Sequence, residues 1–391
     1  MKTTFVRQFL LTAILILFSV AVVGAAFHSL LFNHLTQEEE NSSAHHIAMD
    51  SLRGKAYDEA AKLLNADPDE IALVESTSHG LNIAARGIEL ADGDNIITTN
   101  LEFIQVALPW CVMRREKKIE IRVCKTKDNR FTVDDFAALA DERTRIIVMS
   151  TLEWCNGWAS DMKAIGDFCQ EKGIFLVVDA VQQLGVTKID TKQCHFDLLV
   201  AGGHKWLNSP YGTGVLYVNK NSLSKIKQSY AGYLNTTVPE GGWGAYWENP
   251  AAPSVHDWTF PETARKYEIG GTSNYTGAIA LGESLGLVNE IGIENIQEHI
   301  WALSAYCMDQ LEAIGATIIT HRAGGAASSL PASMTIWMWT AGYSSSSTPA
   351  RFLLPSASPT TWAASASPAS TSTTTPTSTP WQRLSNSPSR L

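Results

Sequence analysis

The sequence predicts an α/β fold in which a mostly parallel sheet carries helices on both faces, and two observations predict it. Short β-branched runs alternate with stretches whose apolar residues recur at helical spacing. Several of these runs, such as Ile174-Phe175-Leu176-Val177-Val178, are apolar without a break, as strands buried on both faces are. The expected strands are Ile71–Val74, Asn95–Thr98, Ile119–Val123, Arg145–Met149, Ile174–Val178, Asp197–Val200 and Val215–Val218. Between them, Phe103–Lys117, Val133–Ala140 and Met162–Lys172 read as helices. Further on, Ile293–Ile314 reads as a helix, followed by strand-like Ala316–Thr320 and Ala332–Trp339.

Composition bounds what such a fold can do. A chain of 391 residues allows two or three domains of about 100–200 residues each. Only 18% of residues are charged, against roughly 25% in soluble globular chains. Much of the dilution sits in residues 344–391, which hold no Asp, Glu or Lys and three arginines, Arg351, Arg383 and Arg390. The net charge of −9 excludes the basic face of a nucleic-acid-binding protein. Six cysteines without a Cys-x-x-Cys pair exclude a disulfide scaffold or a zinc ribbon, and no metal set is expected.

The two ends differ from the middle. Lys2 and Arg7 precede an apolar run from Phe9 to Phe27, with small residues at Val23-Gly24-Ala25. That is the layout of a secretory leader, and uncleaved it is long enough to contact or span a bilayer. Residues 1–45 are therefore expected to be a leader or anchor with its linker. The Ser/Thr/Pro-rich stretch 344–391 has too little apolar area to offset its ordering entropy and is expected to be disordered. A stalk on an exported protein or a shifted reading frame would each account for it.

Ligands of open α/β sheets bind beyond the carboxyl ends of the strands, so those ends are where chemistry is expected. One apolar run ends in Asp179, followed by Ala180-Val181-Gln182. A carboxylate there is costly unless a cation or strong donors meet it. The Asp197–Val200 run ends in Ala201-Gly202-Gly203-His204-Lys205. A partly desolvated lysine loses basicity and becomes an amine nucleophile. A nucleophilic lysine with an acidic neighbour is what a pyridoxal-phosphate enzyme needs, for its Schiff base and its pyridine nitrogen. After the Ile71–Val74 run, Glu75-Ser76-Thr77-Ser78-His79-Gly80 opens a helix with hydroxyls and free N–H groups, a form that suits an anion.

The order of these three segments resembles the class V aminotransferase family, the pyridoxal-phosphate enzymes that include cysteine desulfurases and isopenicillin-N-epimerase-like proteins. The stretch from Val177 to Val218 carries the closest match: Asp179-x-x-Gln182-x-x-Gly185, then Asp197-Leu198 leading to His204-Lys205, then Pro210-x-Gly212-x-Gly214. The resemblance implies a fold-type-I major domain over residues 46–290 and a small α+β C-terminal domain, incomplete here, over 291–343. It implies pyridoxal 5′-phosphate as cofactor, with Lys205 as the Schiff-base lysine. Asp179 would face the pyridine nitrogen and Gln182 the phenolic oxygen. His204, Ser78 and the backbone N–H of His79 would hold the phosphate. Phe103 falls where the family places an aromatic ring against the cofactor, and an apolar core position for it stands beside that reading. Thr272 matches the segment that reaches a neighbouring subunit's phosphate, implying a homodimer with shared sites.

The chain departs from the family pattern in places. Gly202 stands where many members have a hydroxyl, and the arginine that binds the substrate carboxylate has no counterpart in context. After Lys205 the only cysteine is Cys307, inside a helical pattern, so a desulfurase with a loop thiol is disfavoured. The function expected is chemistry at Cα of an amino acid, by transamination, elimination or epimerisation. The alternative is a member that binds the cofactor without turnover. A nicotinamide dehydrogenase is excluded by the lack of a G-x-G-x-x-G after the first strand. The leader implies export or membrane attachment, whereas the family implies the cytoplasm.

Overall fold

The computed structural model describes residues 46–271, 273–315 and 318–320. The leader, Thr272, the Ala332–Trp339 run and the Ser/Thr/Pro tail lie outside the described residues, as do Ala316 and Thr317. Among the described residues no helix is long and apolar enough to cross a membrane.

Helix α1 (His46–Leu64) leads through a short 3₁₀ turn into β1 (Ile71–Val74). Then come α2 (Thr77–Gly87), β2 (Asn95–Thr99), α3 (Ile104–Glu116), β3 (Glu120–Cys124), α4 (Val133–Ala137) and β4 (Thr144–Ser150). Helix α5 (Met162–Lys172), β5 (Phe175–Asp179), β6 (Leu198–Gly202) and β7 (Gly214–Val218) complete the strand-bearing part. Short α6 (Gly242–Glu248) and the long α7 (Tyr275–Ile291) and α8 (Ile293–Ala313) follow. The expected helix Val133–Ala140 closes early, at Ala137, with turns of hydrogen bonds from Leu139 and Ala140 back to Phe136.

The seven strands form one sheet in the order β1-β7-β6-β5-β4-β2-β3. Strands β2 to β6 pair in parallel, while β7 runs antiparallel to both β6 and β1. The connection 203–213 contains no helix, and a parallel return needs a crossover of a dozen or more residues. Hydrophobic patterning carries no sign of strand direction, so this reversal is a structural finding.

Alternation along the strands divides the core between the two faces. Ile147 and Met149 of β4, Leu176 and Val178 of β5 and Leu199 and Ala201 of β6 pack with α1, α5 and α7. Their neighbours Ile146, Val148, Val177, Leu198 and Val200 pack with α2 and α3. Each fully buried aliphatic side chain contributes about 1.5–3 kcal/mol, so a sheet covered twice holds its strand ends rigidly. Gly80 lets α2 sit directly on β6, because a Cβ there would lie 2.4 Å from Val200 Cγ2.

Candidate active site

Asp179 is the last residue of β5 and is 5% exposed. Its Oδ1 accepts the Val181 N–H at 2.9 Å. Burial raises its pKa to about 6, against the pull of that hydrogen bond and of the Lys205 charge. Lys205 lies in the turn that leaves β6, the parallel neighbour of β5. The turn is held at three points. The Gly203 N–H donates to Thr213 O at 2.8 Å and the Ser209 N–H to Gly203 O at 2.9 Å. From α7, Ser284 Oγ donates to Leu207 O at 2.5 Å. Lys205 is half-buried, and burial lowers its pKa while Asp179 opposes the shift. Lys205 and Asp179 thus stand past and at two adjacent strand ends and influence each other's charge, without a direct hydrogen bond between them.

The hydroxyl turn is tied to the same place. Thr77 Oγ1 accepts the Gly202 N–H at 2.9 Å, which joins the start of α2 to the end of β6. A Cβ at Gly202 would lie 3.0 Å from His204 Cε1 and 3.1 Å from Thr77 Oγ1. The glycine at this position is what admits Thr77. One expectation needs correction here. The backbone N–H of His79 donates to Ser76 Oγ at 3.1 Å, because Ser76 rather than a later hydroxyl caps the helix. The N–H groups of Thr77 and Ser78 are the first two of the helix and have no intrahelical acceptor. They are the donors left for an anion at this terminus.

His204 stacks on Tyr211 with centroids 5.1 Å apart, and burial, helped by Lys205, lowers its pKa. The His79 ring packs edge-on against Tyr230 at 5.2 Å, and burial lowers its pKa also. Gln182 is 6% exposed, and its Oε1 has no partner. Phe103 precedes α3, is 47% exposed and meets the edge of Trp154 at 5.7 Å. Its reading as an apolar core residue is therefore overturned. Thr272 lies outside the described residues; its neighbours Gly271, Ser273 and Asn274 line a cleft with His79 and Gly212.

Sequence reasoning missed two residues at the neighbouring strand ends, Glu102 after β2 and Glu153 after β4. Glu153 is 0% exposed. Glu102 is half-buried with its carboxylate turned inward, accepting the Ser150 N–H at 2.8 Å and the Ser150 hydroxyl at 2.6 Å. Thr99 Oγ1 stands 3.3 Å from Glu102 Oε1 and 3.2 Å from Glu153 Oε1. The rule that singled out Asp179, a carboxylate just past an apolar strand, applied to both.

The donor set fits a phosphorylated pyridine cofactor. Among the buried polar atoms without a partner, four belong to residues that follow strand ends here: His79 Nε2, Thr151 Oγ1, Gln182 Oε1 and Trp206 Nε1. A flip of the Gln182 amide presents its N–H₂ in place of its oxygen. Burial of so many unpaired polar atoms is costly, and a polar ligand at the strand ends relieves it.

The aminotransferase class-V family model matches residues 30–335. A protein of Methanothermobacter thermautotrophicus named "Probable cysteine desulfurase" is 30% identical over 63% of this chain and 58% of its own length. An uncharacterised aminotransferase of Schizosaccharomyces pombe is 30% identical over 66% of this chain and 64% of its own. The chain therefore spans less than two thirds of these curated relatives. Among solved structures, the cystine C–S lyase C-DES in complex with cysteine persulfide superposes with a TM-score of 0.65. It is 21% identical, over 74% of this chain and 75% of that one. The apo cysteine desulfurase of Thermococcus onnurineus gives 0.60 at 22% identity, over 68% and 64% of the two chains. Another C-DES structure carries glycine linked to its pyridoxal-phosphate cofactor. The mixed, mostly parallel seven-stranded sheet is that of pyridoxal-phosphate fold type I. On the family match across most of its length and on this fold, the chain belongs to the class V aminotransferases.

Proposed function

We propose that this chain holds pyridoxal 5′-phosphate on Lys205 and acts at Cα of an amino acid, by transamination, elimination or epimerisation. The observation that carries the reading is the meeting of three strand-end features. Lys205 and Asp179 act on each other's charge from the ends of adjacent β6 and β5, and Thr77 ties the start of α2 to the same end of β6. When bound, the cofactor supplies an electron sink that acidifies Cα–H. The ionised Asp179 would keep the ring nitrogen protonated, and Gln182 would donate to the phenolic oxygen. The N–H groups of Thr77 and Ser78, the Ser78 hydroxyl and His204 neutralise the phosphate. Phe103 covers a face of the ring and excludes water. Lys205 Nζ, less basic through burial, carries the proton to and from Cα.

The test is optical and covalent. Purified protein is expected to show a visible absorption band that borohydride abolishes by fixing the cofactor to Lys205, and Lys205→Ala to show neither. Protein that stays colourless with added cofactor overturns the reading.

One observation favours the second reading, cofactor binding without turnover. Arg53, the arginine lining the cleft beside His79, is bound to Asp50 at 2.6 Å and stands 3.6 Å from Glu268. It is not free for a substrate carboxylate. Exchange of Cα deuterium across a panel of amino acids separates the two readings. Desulfurase chemistry through a loop thiol has no support from Cys307, which sits within α8 with its thiol pKa raised by burial. A homodimer with shared sites is also proposed, supported by the exposure of Tyr211 (81%), Tyr233 (45%) and Trp247 (62%). Sedimentation of the purified chain tests it, and a monomer at all concentrations overturns it.

A further inference from the structure

The loop after β2 and the turn after β4 are clamped together beside the candidate site, and of the clamp the proposed chemistry uses only Phe103. Trp154 Nε1 donates to Leu101 O at 3.0 Å, and Phe103 meets the Trp154 ring. Asn156 Nδ2 donates to Asn129 O at 2.9 Å. The turn closes on itself through the Glu153 N–H to Trp158 O at 2.8 Å and the Gly157 N–H to Glu153 O at 3.0 Å. At the centre of this arrangement stand the two carboxyl groups, bridged by the single hydroxyl of Thr99.

The donors there are too few for two carboxylates. Both Ser150 donors go to Glu102. Glu153 is left with Thr99 Oγ1, which has one hydrogen for two acceptors, and Glu153 Oε2 has no partner at 0% exposure. Two like charges in such a space cannot both persist. We infer that Glu102 and Glu153 share one proton, and that this proton fastens the turn 153–158 to the loop 100–103 and so positions Phe103 and Trp154. Of the groups around the pair, only Asp179 acts on it as a charge. Asp179 approaches from β5 and adds negative charge, Cys155 lies within the turn with its thiol pushed up to about 12, and Lys205 acts on Asp179. Burial, then the neighbouring carboxylate, pushes Glu153 well above its usual range. Burial lifts Glu102 to about 7, Asp179 helping and the Ser150 bonds opposing. The two titrate as a coupled pair.

Both groups are raised in the folded state, so the fastened form binds more protons than the opened form. Stability of the clamp is complete below the ordinary glutamate range and is lost as pH rises towards and through the raised values. The inference concerns residues of this chain and holds whether or not the proposed cofactor chemistry does. Its test is amide hydrogen exchange of peptides covering 99–103 and 151–160 in the full chain, corrected for intrinsic rates, from about pH 7, above which the pair holds one proton, to about pH 9. Release of one proton on opening predicts an opening constant that rises about tenfold per pH unit in the wild type. Glu153→Gln, which keeps the shape and cannot lose a proton, is expected to flatten that rise. A Glu153→Gln profile parallel to the wild type, or protection lost equally at every pH, overturns the inference. Should Glu153→Gln fail to fold, Glu102→Gln is read in the same way, and an unchanged slope in it overturns the inference as well.

Discussion

The ends of β5 and β6 and the ends of β2 and β4 lie side by side on one sheet, and each places two ionisable groups out of water. At the first pair the charges are opposite. The Val181 N–H and then the Lys205 charge restrain the rise of Asp179, which stops at about 6 although the group is almost wholly buried. At the second pair the charges are alike, and Glu153 is driven far up. Desolvation is the largest influence in both. The sign of the partner decides whether a buried carboxylate stays ionised near neutral pH or keeps its proton. The comparison also separates the proposed roles: an ionised Asp179 near Lys205 for chemistry, and a shared proton between the glutamates for position.

The largest expected effect comes from making the first pair resemble the second. Lys205→Ala removes the cation and the proton carrier together. Cα-proton exchange is expected to fall about 10²- to 10⁴-fold, the usual contribution of a positioned acid–base group. The Asp179 carboxyl should also climb above about 6 once Lys205 no longer opposes burial. Because its folded pKa already exceeds its ordinary value of 3.8, the stability it withholds as pH rises would then be lost over a wider window. Thermal melts of Lys205→Ala from pH 4 to pH 8 check this. A melting profile parallel to that of the wild type shows that the two groups do not interact.

How much of this was legible in the sequence follows from the same contrast. The Asp179 end was readable because it closes a continuous apolar run, and Lys205, three residues past β6, because the Gly202-Gly203-His204 turn before it marks the place. Glu102 and Glu153 obey the same rule but follow their runs at a distance of three residues, where a charge reads as ordinary loop. Their meeting depends on β2 pairing with β4, which no local pattern specifies. The antiparallel β7 was hidden for a related reason: inward and outward alternation is identical in either direction. Phe103 was ambiguous because hydrophobicity does not tell an apolar side chain in a core from one lining a site. The opposite hazard is a motif that matches without being usable: Asn235-Thr236-Thr237 has the Asn-x-Thr form of a glycosylation acceptor. Asn235 is 3% exposed and its Nδ2 donates to the Lys266 and Glu268 carbonyls, so a folded chain does not offer it for glycosylation.

Within the second pair, the two glutamates should respond unequally to the same substitution. Glu102→Gln replaces one acceptor oxygen with an N–H₂ that must face a Ser150 donor. Leaving such a buried donor unsatisfied costs about 1–3 kcal/mol. Glu153→Gln meets no such conflict, since Glu153 Oε2 has no partner to lose. Urea melts above about pH 7, where Glu102 is ionised, should therefore show Glu102→Gln clearly destabilised and Glu153→Gln close to the wild type. Equal losses would mean that the proton does not reside on Glu153, and the asymmetry of donors would have to be re-read.

The smallest expected effect lies at the start of α2, where the two regions' logic meets a neutral case. Ser76 caps the helix by accepting the His79 N–H, and Thr77 accepts the Gly202 N–H, so two hydroxyls in succession serve structure while Ser78 is left towards the anion. Ser76→Ala removes one cap, a loss of about 1 kcal/mol. It also frees the His79 N–H, which then joins those of Thr77 and Ser78 as a third donor at the helix terminus. Stability and anion affinity should consequently move in opposite directions: a lower melting temperature in buffer alone, and a larger rise in that temperature when inorganic phosphate or pyridoxal 5′-phosphate is added. If both fall together, the turn binds anions through the Ser76 hydroxyl itself, and the division of labour among the three hydroxyls is wrong.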